Sequence, residues 1–301
     1  MKKICSILCA AAIICACCFA VWAAAEMTGT HSYTEREVSC VSGENTLRGT
    51  LTIPRDADGS LPVAILLHGL NTTRSWCDDI AWRLAEEGVA SVRFDFAGCG
   101  ESDGAHVDMT VSSLIRDTVS IYDYVCGLPF VDTDNIILVG KSMGCVSALL
   151  AEQAYALDVK AMCFWYPGFG IDLTTTAGNL LGVRFDASDP PESLDVWGYE
   201  YGREFITEAQ SLDLVSAGKG CGEPVLIIHG DSDQVSSITG SYVAEQIMSD
   251  CTLDVIEGGG HGFEGEQEQQ ALDDMVDFVL EHVTTSSSSR QQAASARAAI
   301  T

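Results

Sequence analysis

The feature that most constrains the fold is a repeated alternation between short apolar runs and longer segments of helical character. The apolar runs include PVAILLHG, NIILVG, KAMCFWYP and PVLIIHG, and they are continuously apolar, which is typical of strands buried on both faces. Helical segments such as SWCDDIAWRLAEEG and SMGCVSALLAEQAYA lie between them. Helices that connect buried strands form right-handed crossovers over a mostly parallel sheet. The sequence therefore predicts an α/β fold with a mostly parallel central sheet and helices on both faces.

The same alternation defines the domain and its one interruption. We expect a single domain over residues 40–284, because the strand and helix patterns fill this range. Residues 167–222 break the rhythm with polar, aromatic and glycine-containing stretches, and we interpret them as a lid inserted over the C-terminal edge of the sheet. Residues 285–301 are of low complexity, which predicts a disordered tail.

The N-terminal segment has the composition of an export signal. Two lysines precede an uncharged run over residues 4–25, which ends in an A-x-A-like cleavage site. Residues 1–25 are thus expected to be a signal peptide. The run is also long enough to serve as a retained anchor that attaches the protein to a membrane, and Cys17 or Cys18 would be the lipidation site of a lipobox-like sequence. Each alternative predicts a protein that is secreted or held on the outer face of the cell membrane.

Charge and cysteine content limit the partners and the cofactors. The chain has a formal net charge of -27, which argues against nucleic acid and anionic lipid head groups as partners. Outside the leader no two cysteines have the C-x-x-C spacing, so a zinc site is not expected. Cys126, Cys145 and Cys163 lie in apolar strand or helix contexts, which favours buried free thiols.

The clearest chemical motif is GKSMG at residues 140–144, between the apolar run IILV and the helical segment CVSALLAEQA. It matches G-x-S-x-G, a sharp strand-to-helix turn whose serine backbone is strained and whose neighbours must be small. Such a turn projects the hydroxyl of Ser142 above the strand ends, over the helix N-terminus. The alternative is an ordinary strand-to-helix connection with this spacing by chance, so the interpretation depends on partners elsewhere in the chain.

A serine nucleophile needs a base and an orienting acid, and two later loops supply candidates. GGGHGF places His261 in a glycine-rich loop after the last predicted strand, and LIIHGDSDQV offers Asp231 and Asp233 after the strand before it. We prefer Asp233, which lies farther out in its loop, and expect Asp231 to cap the turn. His229 closes an apolar strand and is predicted to be a structural imidazole beneath the acid loop.

Acyl transfer also requires hydrogen-bond donors for the oxyanion of the tetrahedral intermediate. In a strand–turn–helix motif of this kind, one donor is the backbone N–H of the residue after the serine, here Met143. The other is expected in the turn after the LLHG strand, at the N–H of Leu70. His68, which precedes that turn, is expected to brace it or to be a simple buried imidazole.

Five stretches together resemble the α/β-hydrolase superfamily: LLHGLN, VRFDFAGCGESDG, GKSMGC, LIIHGDSDQV and GGGHGF. Within it the chain is most similar to bacterial cinnamoyl (feruloyl) esterases and to the serine aminopeptidase and monoacylglycerol lipase-like group. The resemblance implies the α/β-hydrolase fold, with Ser142 as nucleophile, Asp233 as acid, His261 as base, and Leu70 with Met143 as the oxyanion hole. It implies no metal or organic cofactor.

The chain departs from the family pattern at two positions beside the nucleophile. Cys145 replaces a third glycine, but it is small enough for the turn to form. Lys141 stands where histidine or glutamine is common, so the resemblance does not determine the substrate side of the pocket. The family pattern assigns Asp95 a structural role in the loop after its strand.

The leading functional hypothesis is hydrolysis of carboxylic esters, with small aromatic or short acyl esters as substrates. Trp165 and Tyr166 lead into the lid and Trp197 lies within it, so they are predicted to contact the substrate; alternatively, the aromatic residues pack the lid onto the domain. A serine aminopeptidase or amidase would need a carboxylate for a free amino terminus, and the lid offers Glu192, Glu200 and Glu204. A monoacylglycerol lipase-type hydrolase and a non-enzymatic binding module are further alternatives.

Overall fold

The computed structural model describes residues 32–55 and 59–283. The predicted leader and tail lie outside these residues. Within the described ranges, none of the helices combines the length and the apolar character needed to cross a membrane.

Twelve strands and eight α-helices are formed within the described ranges. The strands are β1 (Tyr33–Ser42), β2 (Asn45–Pro54), β3 (Leu61–Leu67), β4 (Ala90–Phe94), β5 (Val131–Lys141), β6 (Ala161–Trp165), β7 (Asn179–Leu180), β8 (Val183–Arg184), β9 (Ser193–Val196), β10 (Tyr199–Gly202), β11 (Val225–Gly230) and β12 (Cys251–Ile256). The helices are α1 (Asp78–Glu86), α2 (Val111–Cys126), α3 (Met143–Tyr155), α4 (Ile171–Thr176), α5 (Arg203–Gln210), α6 (Leu214–Gly220), α7 (Thr239–Ile247) and α8 (Glu266–His282). Two 3₁₀ turns, Arg74–Cys77 and His106–Asp108, connect strands to helices.

Eight of the strands form one sheet in the order β1-β2-β4-β3-β5-β6-β11-β12. The hairpin of β1 and β2 is antiparallel, and β2 also runs antiparallel to β4. All remaining neighbours in this sheet are parallel. The strands β3, β4, β6 and β11 are buried throughout, because the helices that connect parallel strands cover both faces of the sheet. The predicted α/β fold is thus confirmed.

The core consists of two layers, one on each face of the sheet. One layer contains apolar side chains of α2 and α3 together with much of the lid, and the other contains those of α1 and α8. Successive residues of β6 alternate between the layers: Met162 and Phe164 belong to the first, and Cys163 and Trp165 to the second. This alternation decides which face of the sheet each aromatic side chain of β6 packs against.

The lid, residues 167–222, joins β6 to β11 and contains α4, α5, α6 and two small hairpins. The hairpins are β7–β8 and β9–β10, and their strands are two and four residues long respectively. The lid touches the body of the domain closely where β10 passes the second 3₁₀ turn, since a Cβ on Gly202 would lie 2.5 Å from the carbonyl oxygen of Val107. The lid is therefore a set of short elements fixed by contact with the domain beneath.

The cysteines of the described ranges are free thiols. Cys145 and Cys163 are buried as predicted, whereas Cys126 is only half-buried. Burial raises the pKa of the Cys77 thiol to about 11 and that of Cys221 to about 12. These thiols therefore stay protonated at neutral pH, which makes them poor nucleophiles.

Candidate active site

The nucleophile turn joins β5 to α3 with Ser142 at the break. Ser142 has φ +55°, in the left-handed region that costs a non-glycine residue about 1–3 kcal/mol. Close packing explains both flanking glycines: a Cβ on Gly140 would lie 2.5 Å from the backbone nitrogen of Cys145, and one on Gly144 would lie 2.1 Å from the carbonyl oxygen of Leu67. The strained turn is therefore held from both sides, and Cys145 fits because its side chain lies in the core.

The predicted acid, base and nucleophile side chains meet above the carboxyl ends of three strands. Nε2 of His261 lies 3.0 Å from Oγ of Ser142, and Nδ1 of the same ring lies 2.7 Å from Oδ2 of Asp233. Ser142 follows β5, Asp233 follows β11 and His261 follows β12. The imidazole is thus placed between a hydroxyl and a carboxylate, the geometry that proton transfer from a serine nucleophile requires.

Four hydrogen bonds hold the Asp233 carboxylate. Oδ1 accepts from the backbone N–H groups of Val235 and Ser236 at 2.8 and 2.9 Å. Oδ2 is shared by His261 at 2.7 Å and His229 at 3.2 Å. Burial alone would raise the pKa of Asp233, but the hydrogen bonds from His229 and His261 hold it well below its ordinary value. The carboxylate is therefore ionised at neutral pH.

His229 is a second, fully buried imidazole on this carboxylate. Its Nδ1 lies 2.7 Å from Oγ of Ser241. Its Nε2 faces two acceptors, Asp233 and the carbonyl oxygen of Ser236 at 3.1 Å, so Nε2 carries the proton. The predicted structural role agrees with this burial. The direct bond to Asp233 is not part of the sequence prediction, although the spacing H-G-D-S-D places the two residues in one turn.

A cavity of about 340 Å³ opens beside Ser142. It is lined by Leu70 and Met143, the predicted oxyanion residues, and by parts of the lid and the acid loop. Lid and acid-loop residues at its wall include Ile171, Leu180, Trp197, Val235 and Ser236. In the part of the chain that the structure describes, no charged side chain lines this cavity. The cavity can therefore take an uncharged group held next to the serine.

The three aromatic residues predicted to contact substrate lie in different places. Trp197 lines the cavity at the turn of the β9–β10 hairpin and is 61% exposed, with φ +59°. Trp165 and Tyr166 are each 1% exposed and do not line the cavity. Trp165 belongs to the core layer of α8, as the alternation along β6 dictates. The expectation of substrate contact is therefore corrected for Trp165 and Tyr166.

Tyr166 instead supports the histidine from behind. Its ring centroid lies 4.9 Å from that of His261, and Trp76 lies 5.5 Å from Tyr166 and 6.3 Å from His261. Phe263 packs edge-on against Tyr166 at 5.1 Å. These rings limit the movement of the imidazole away from Ser142.

Lys141, the unusual residue beside the nucleophile, points away from the cavity. Its ammonium donates to the carbonyl oxygen of Trp76 at 2.6 Å and lies 4.9 Å from the centre of the Trp165 ring. Burial lowers the pKa of Lys141. The unusual lysine therefore contacts buried residues behind Trp76, and the cavity wall stays uncharged.

Three other polar residues named from the sequence have structural roles. Asp231 is exposed and accepts from the N–H of Gly258 at 2.7 Å, which fixes the acid turn. Asp95 accepts from the N–H groups of Arg74 and Glu101 at 2.7 and 3.0 Å. His68 braces its turn, because Nε2 accepts from the N–H of Phe96 at 3.1 Å and Nδ1 therefore donates to Gly69 at 2.8 Å.

One group of side chains with metal-ligand chemistry occurs in the described residues, away from the cavity. Ligand atoms of Glu152, Cys221 and Glu223 lie within 4.8 Å of one another. Glu152 already accepts from the amide of Gln153 at 2.5 Å. Cys221 and Glu223 precede β11, so the cluster lies at the edge of the sheet opposite Ser142 and cannot act on a group bound there.

Comparison with known proteins places this geometry among hydrolases. A family model described as serine aminopeptidase, S33, matches residues 61–187. The mitochondrial palmitoyl-protein thioesterase ABHD10 of Homo sapiens is 26% identical over 211 residues, which cover 66% of this chain and 65% of the relative. A monoacylglycerol lipase of Mycolicibacterium smegmatis is 24% identical over 252 residues, covering 73% and 89% respectively. The chain thus spans about 65% of the length of the thioesterase relatives.

Solved structures of hydrolases are also similar to this chain. Est1E from Butyrivibrio proteoclasticus, in a structure with bound ferulic acid, superposes with a TM-score of 0.77 at 27% identity, over 81% of this chain and 98% of that one. The alpha/beta hydrolase domain-containing protein 10 from mouse gives a TM-score of 0.62 at 20% identity, over 81% and 99%, and shows the shared fold. From the sheet order, the family match and these similarities together, the chain has the α/β-hydrolase fold.

Proposed function

We propose that this protein is a serine esterase, which hydrolyses carboxylic esters through an acyl-enzyme on Ser142. The observation that carries the proposal is the continuous line of hydrogen bonds from Ser142 Oγ through His261 to Asp233, with distances of 3.0 and 2.7 Å, at the wall of an uncharged cavity. A nucleophile, a base and an orienting carboxylate in contact are the minimum set for acyl transfer without a metal ion.

The reaction follows from the roles of the three side chains. His261 takes the proton of Ser142 as the serine oxygen attacks the ester carbonyl, and returns it to the departing alcohol as the acyl-enzyme forms. Water then attacks the acyl-enzyme, losing its proton to His261, and the carboxylic acid leaves as Ser142 regains its proton. The ionised Asp233 stabilises the imidazolium formed in each half-reaction and fixes the ring orientation.

The oxyanion of each tetrahedral intermediate is assigned to the backbone N–H groups of Leu70 and Met143. Both residues line the cavity beside Ser142, and Met143 begins α3, so the helix N-terminus adds its positive end. Gly69 brings the first turn close, because a Cβ at this position would lie 3.0 Å from Cβ of Ser142. Removing one such donor typically costs about 3 kcal/mol of transition-state stabilisation.

The absence of charge in the cavity supports esters over amino-terminal peptides. An aminopeptidase must hold the ammonium group of its substrate, which requires a carboxylate or a comparable acceptor near the serine. The three lid glutamates considered from the sequence, Glu192, Glu200 and Glu204, are exposed, and none of them lines the described cavity. We therefore interpret the match to the serine aminopeptidase family model as a similarity of fold and mechanism.

The size of the cavity favours a small aromatic or short acyl group. Its volume of about 340 Å³ lies near the lower end of the range of about 300–1,000 Å³ typical of small-molecule sites. The similarity to Est1E, whose structure holds ferulic acid, supports an aromatic acyl group. The similarity to a thioesterase and to a monoacylglycerol lipase makes long-chain acyl substrates the competing choice.

A substrate panel tests the proposal. The purified protein would be assayed with p-nitrophenyl acetate, p-nitrophenyl palmitate, methyl ferulate and an aminoacyl p-nitroanilide. We expect turnover of the acetate and the ferulate. Ser142→Ala should reduce it by about 10⁶-fold. Ser249→Ala, at an exposed serine beyond the opposite edge of the sheet, should leave it unchanged. Turnover of the anilide alone would reject an esterase, and preference for the palmitate would move the assignment to a lipase-type hydrolase.

A further inference from the structure

Two hydrogen bonds join the lid to the turn that carries the proposed oxyanion donor Leu70. The next residue, Asn71, donates from its amide nitrogen to the carbonyl oxygen of Val196 at 3.3 Å. Its amide oxygen accepts from the hydroxyl of Tyr201 at 2.6 Å. Val196 ends β9 and Tyr201 lies in β10, so both partners belong to one lid hairpin.

The backbone of Asn71 has a conformation that needs such support. Its φ is +57°, in the left-handed region that costs most side chains strain and that asparagine tolerates best among the non-glycine residues. A conformation of this kind persists when surrounding contacts determine it. Because Leu70 and Asn71 share a peptide bond, the side-chain contacts of Asn71 also fix the end of the turn in which the N–H of Leu70 lies.

The lid side of the connection is rigid. Tyr201 is fully buried, with its ring edge-on to His106 at 4.7 Å and against Phe205 at 4.9 Å. Close contact of the following residue, Gly202, with the 3₁₀ turn at Val107 prevents β10 from shifting locally. These contacts thus hold the Tyr201 hydroxyl in place next to the turn that carries Leu70 and Asn71.

We propose that Tyr201, acting through Asn71, is a positioning residue that keeps the N–H of Leu70 directed at the oxyanion. The inference rests on the proposed acyl-transfer function. If Tyr201 has this role, the catalytic rate depends on how the β9–β10 hairpin packs against the domain. The hairpin also contributes to the cavity wall. A donor that serves only the oxyanion affects the transition state more than the bound substrate, so its misplacement lowers kcat and leaves KM nearly unchanged.

The test compares two tyrosines on the same strand. Tyr201→Phe removes the hydroxyl that reaches Asn71 and keeps the buried ring. Tyr199→Phe removes a hydroxyl from a ring that is 41% exposed and also contacts His106, at 5.1 Å. With p-nitrophenyl acetate, we expect Tyr201→Phe to lower kcat by about tenfold at unchanged KM, less than the roughly 100-fold or greater effect of losing an entire donor. Tyr199→Phe should match the wild type.

A second variant keeps the test independent of the tyrosine ring. Asn71→Gly allows the left-handed backbone but removes both bonds to the lid, so it should lower kcat at least as much as Tyr201→Phe. Thermal unfolding is measured for each variant. A melting temperature well above the assay temperature shows that the variant is folded in the assay. A structural role alone would lower the melting temperature and leave kcat at its wild-type value.

The rate of labelling by a fluorophosphonate separates failure of this inference from failure of the proposed function. This probe forms a tetrahedral adduct on an activated serine and uses the same oxyanion donors. Slower labelling of Tyr201→Phe than of Tyr199→Phe is the expected result. Equal labelling rates, or a rise in KM at wild-type kcat, would overturn the positioning role alone. A wild-type protein that is not labelled at all would overturn the proposed function, and this inference with it.

Discussion

The sheet edge that carries the candidate triad and the lid that covers it are built in different ways. At the carboxyl ends of the sheet, parallel strands hold each functional loop, and contacts such as those of Gly144 and of the Asp233 carboxylate leave little conformational freedom. In the lid, the strands are two or four residues long, and the cavity residue Trp197 is mostly exposed. We infer from this difference that the carboxyl ends of the strands position the candidate triad, whereas the lid shapes the cavity wall and, through Asn71, supports the turn that carries Leu70.

The largest effect that this comparison predicts is on the acid. Asp233→Asn should lower kcat about 10⁴-fold with the fold retained, because the amide cannot orient and stabilise the imidazolium as a carboxylate does. Asp231→Asn is the matched control, two residues away in the same turn, and should change kcat little, since its side chain bonds only to the turn backbone and Ser232. Steady-state kinetics with p-nitrophenyl acetate measures both. The large loss in Asp231→Asn instead would reverse the assignment.

The next effect is on the tightly packed nucleophile turn. A methyl group on Gly144 would lie 2.1 Å from the carbonyl oxygen of Leu67, so Gly144→Ala should destabilise the fold by about 3 kcal/mol or more and impair activity. Gly222, in contrast, has open space around it, and Gly222→Ala should be nearly neutral. Urea unfolding compares the two. A Gly144→Ala protein with wild-type stability would show that the turn is looser than its contacts indicate.

A smaller effect is expected in the lid. Trp197→Ala removes apolar surface from the cavity wall, so KM for methyl ferulate should rise about fivefold, on the order of 1 kcal/mol of lost contact, with kcat nearly unchanged. Tyr155→Ala removes an exposed aromatic residue at the end of α3, and should leave KM unaltered. An equal change in the two variants would show that Trp197 does not contact the acyl group.

The smallest effect concerns the pH dependence of stability. Hydrogen bonds from His229 and His261 keep the pKa of Asp233 below its unfolded value, so the ionised carboxylate stabilises the native state. This contribution is complete above the unfolded pKa of about 4 and is lost as the pH falls through the lower native pKa. The difference in unfolding free energy between wild type and Asp233→Asn should therefore shrink below about pH 4. A difference that grows on acidification would contradict the lowered pKa.

The same contrast explains what the sequence could predict. Ser142, Asp233 and His261 each follow a strand of the parallel part of the sheet, and parallel strands bring their carboxyl ends to one side, so their proximity follows from their order in the chain. The placement of Trp165 and Tyr166 was wrong for a related reason. Alternation along β6 directs Trp165 to the α8 layer, a signal present in the sequence, whereas the left-handed turn at Tyr166, with φ +38°, carries no recognisable sequence pattern.

The contacts of the lid could not be predicted from the sequence, because they join residues that are far apart in the chain. Asn71 meets Val196 and Tyr201, and no periodicity or turn motif connects these positions. That Val235 and Ser236 line the cavity is closer to what a sequence can predict, since they lie two and three residues after Asp233. Their side-chain directions depend on how the loop closes around the Asp233 carboxylate, which only the folded chain determines.

The central claim is most directly tested by locating the covalent adduct that a fluorophosphonate forms on the purified protein. Peptide mass spectrometry should find a single modification on Ser142, formed in step with the loss of ester turnover. A modification confined to another serine, or complete labelling that leaves the turnover of p-nitrophenyl acetate intact, would contradict the account.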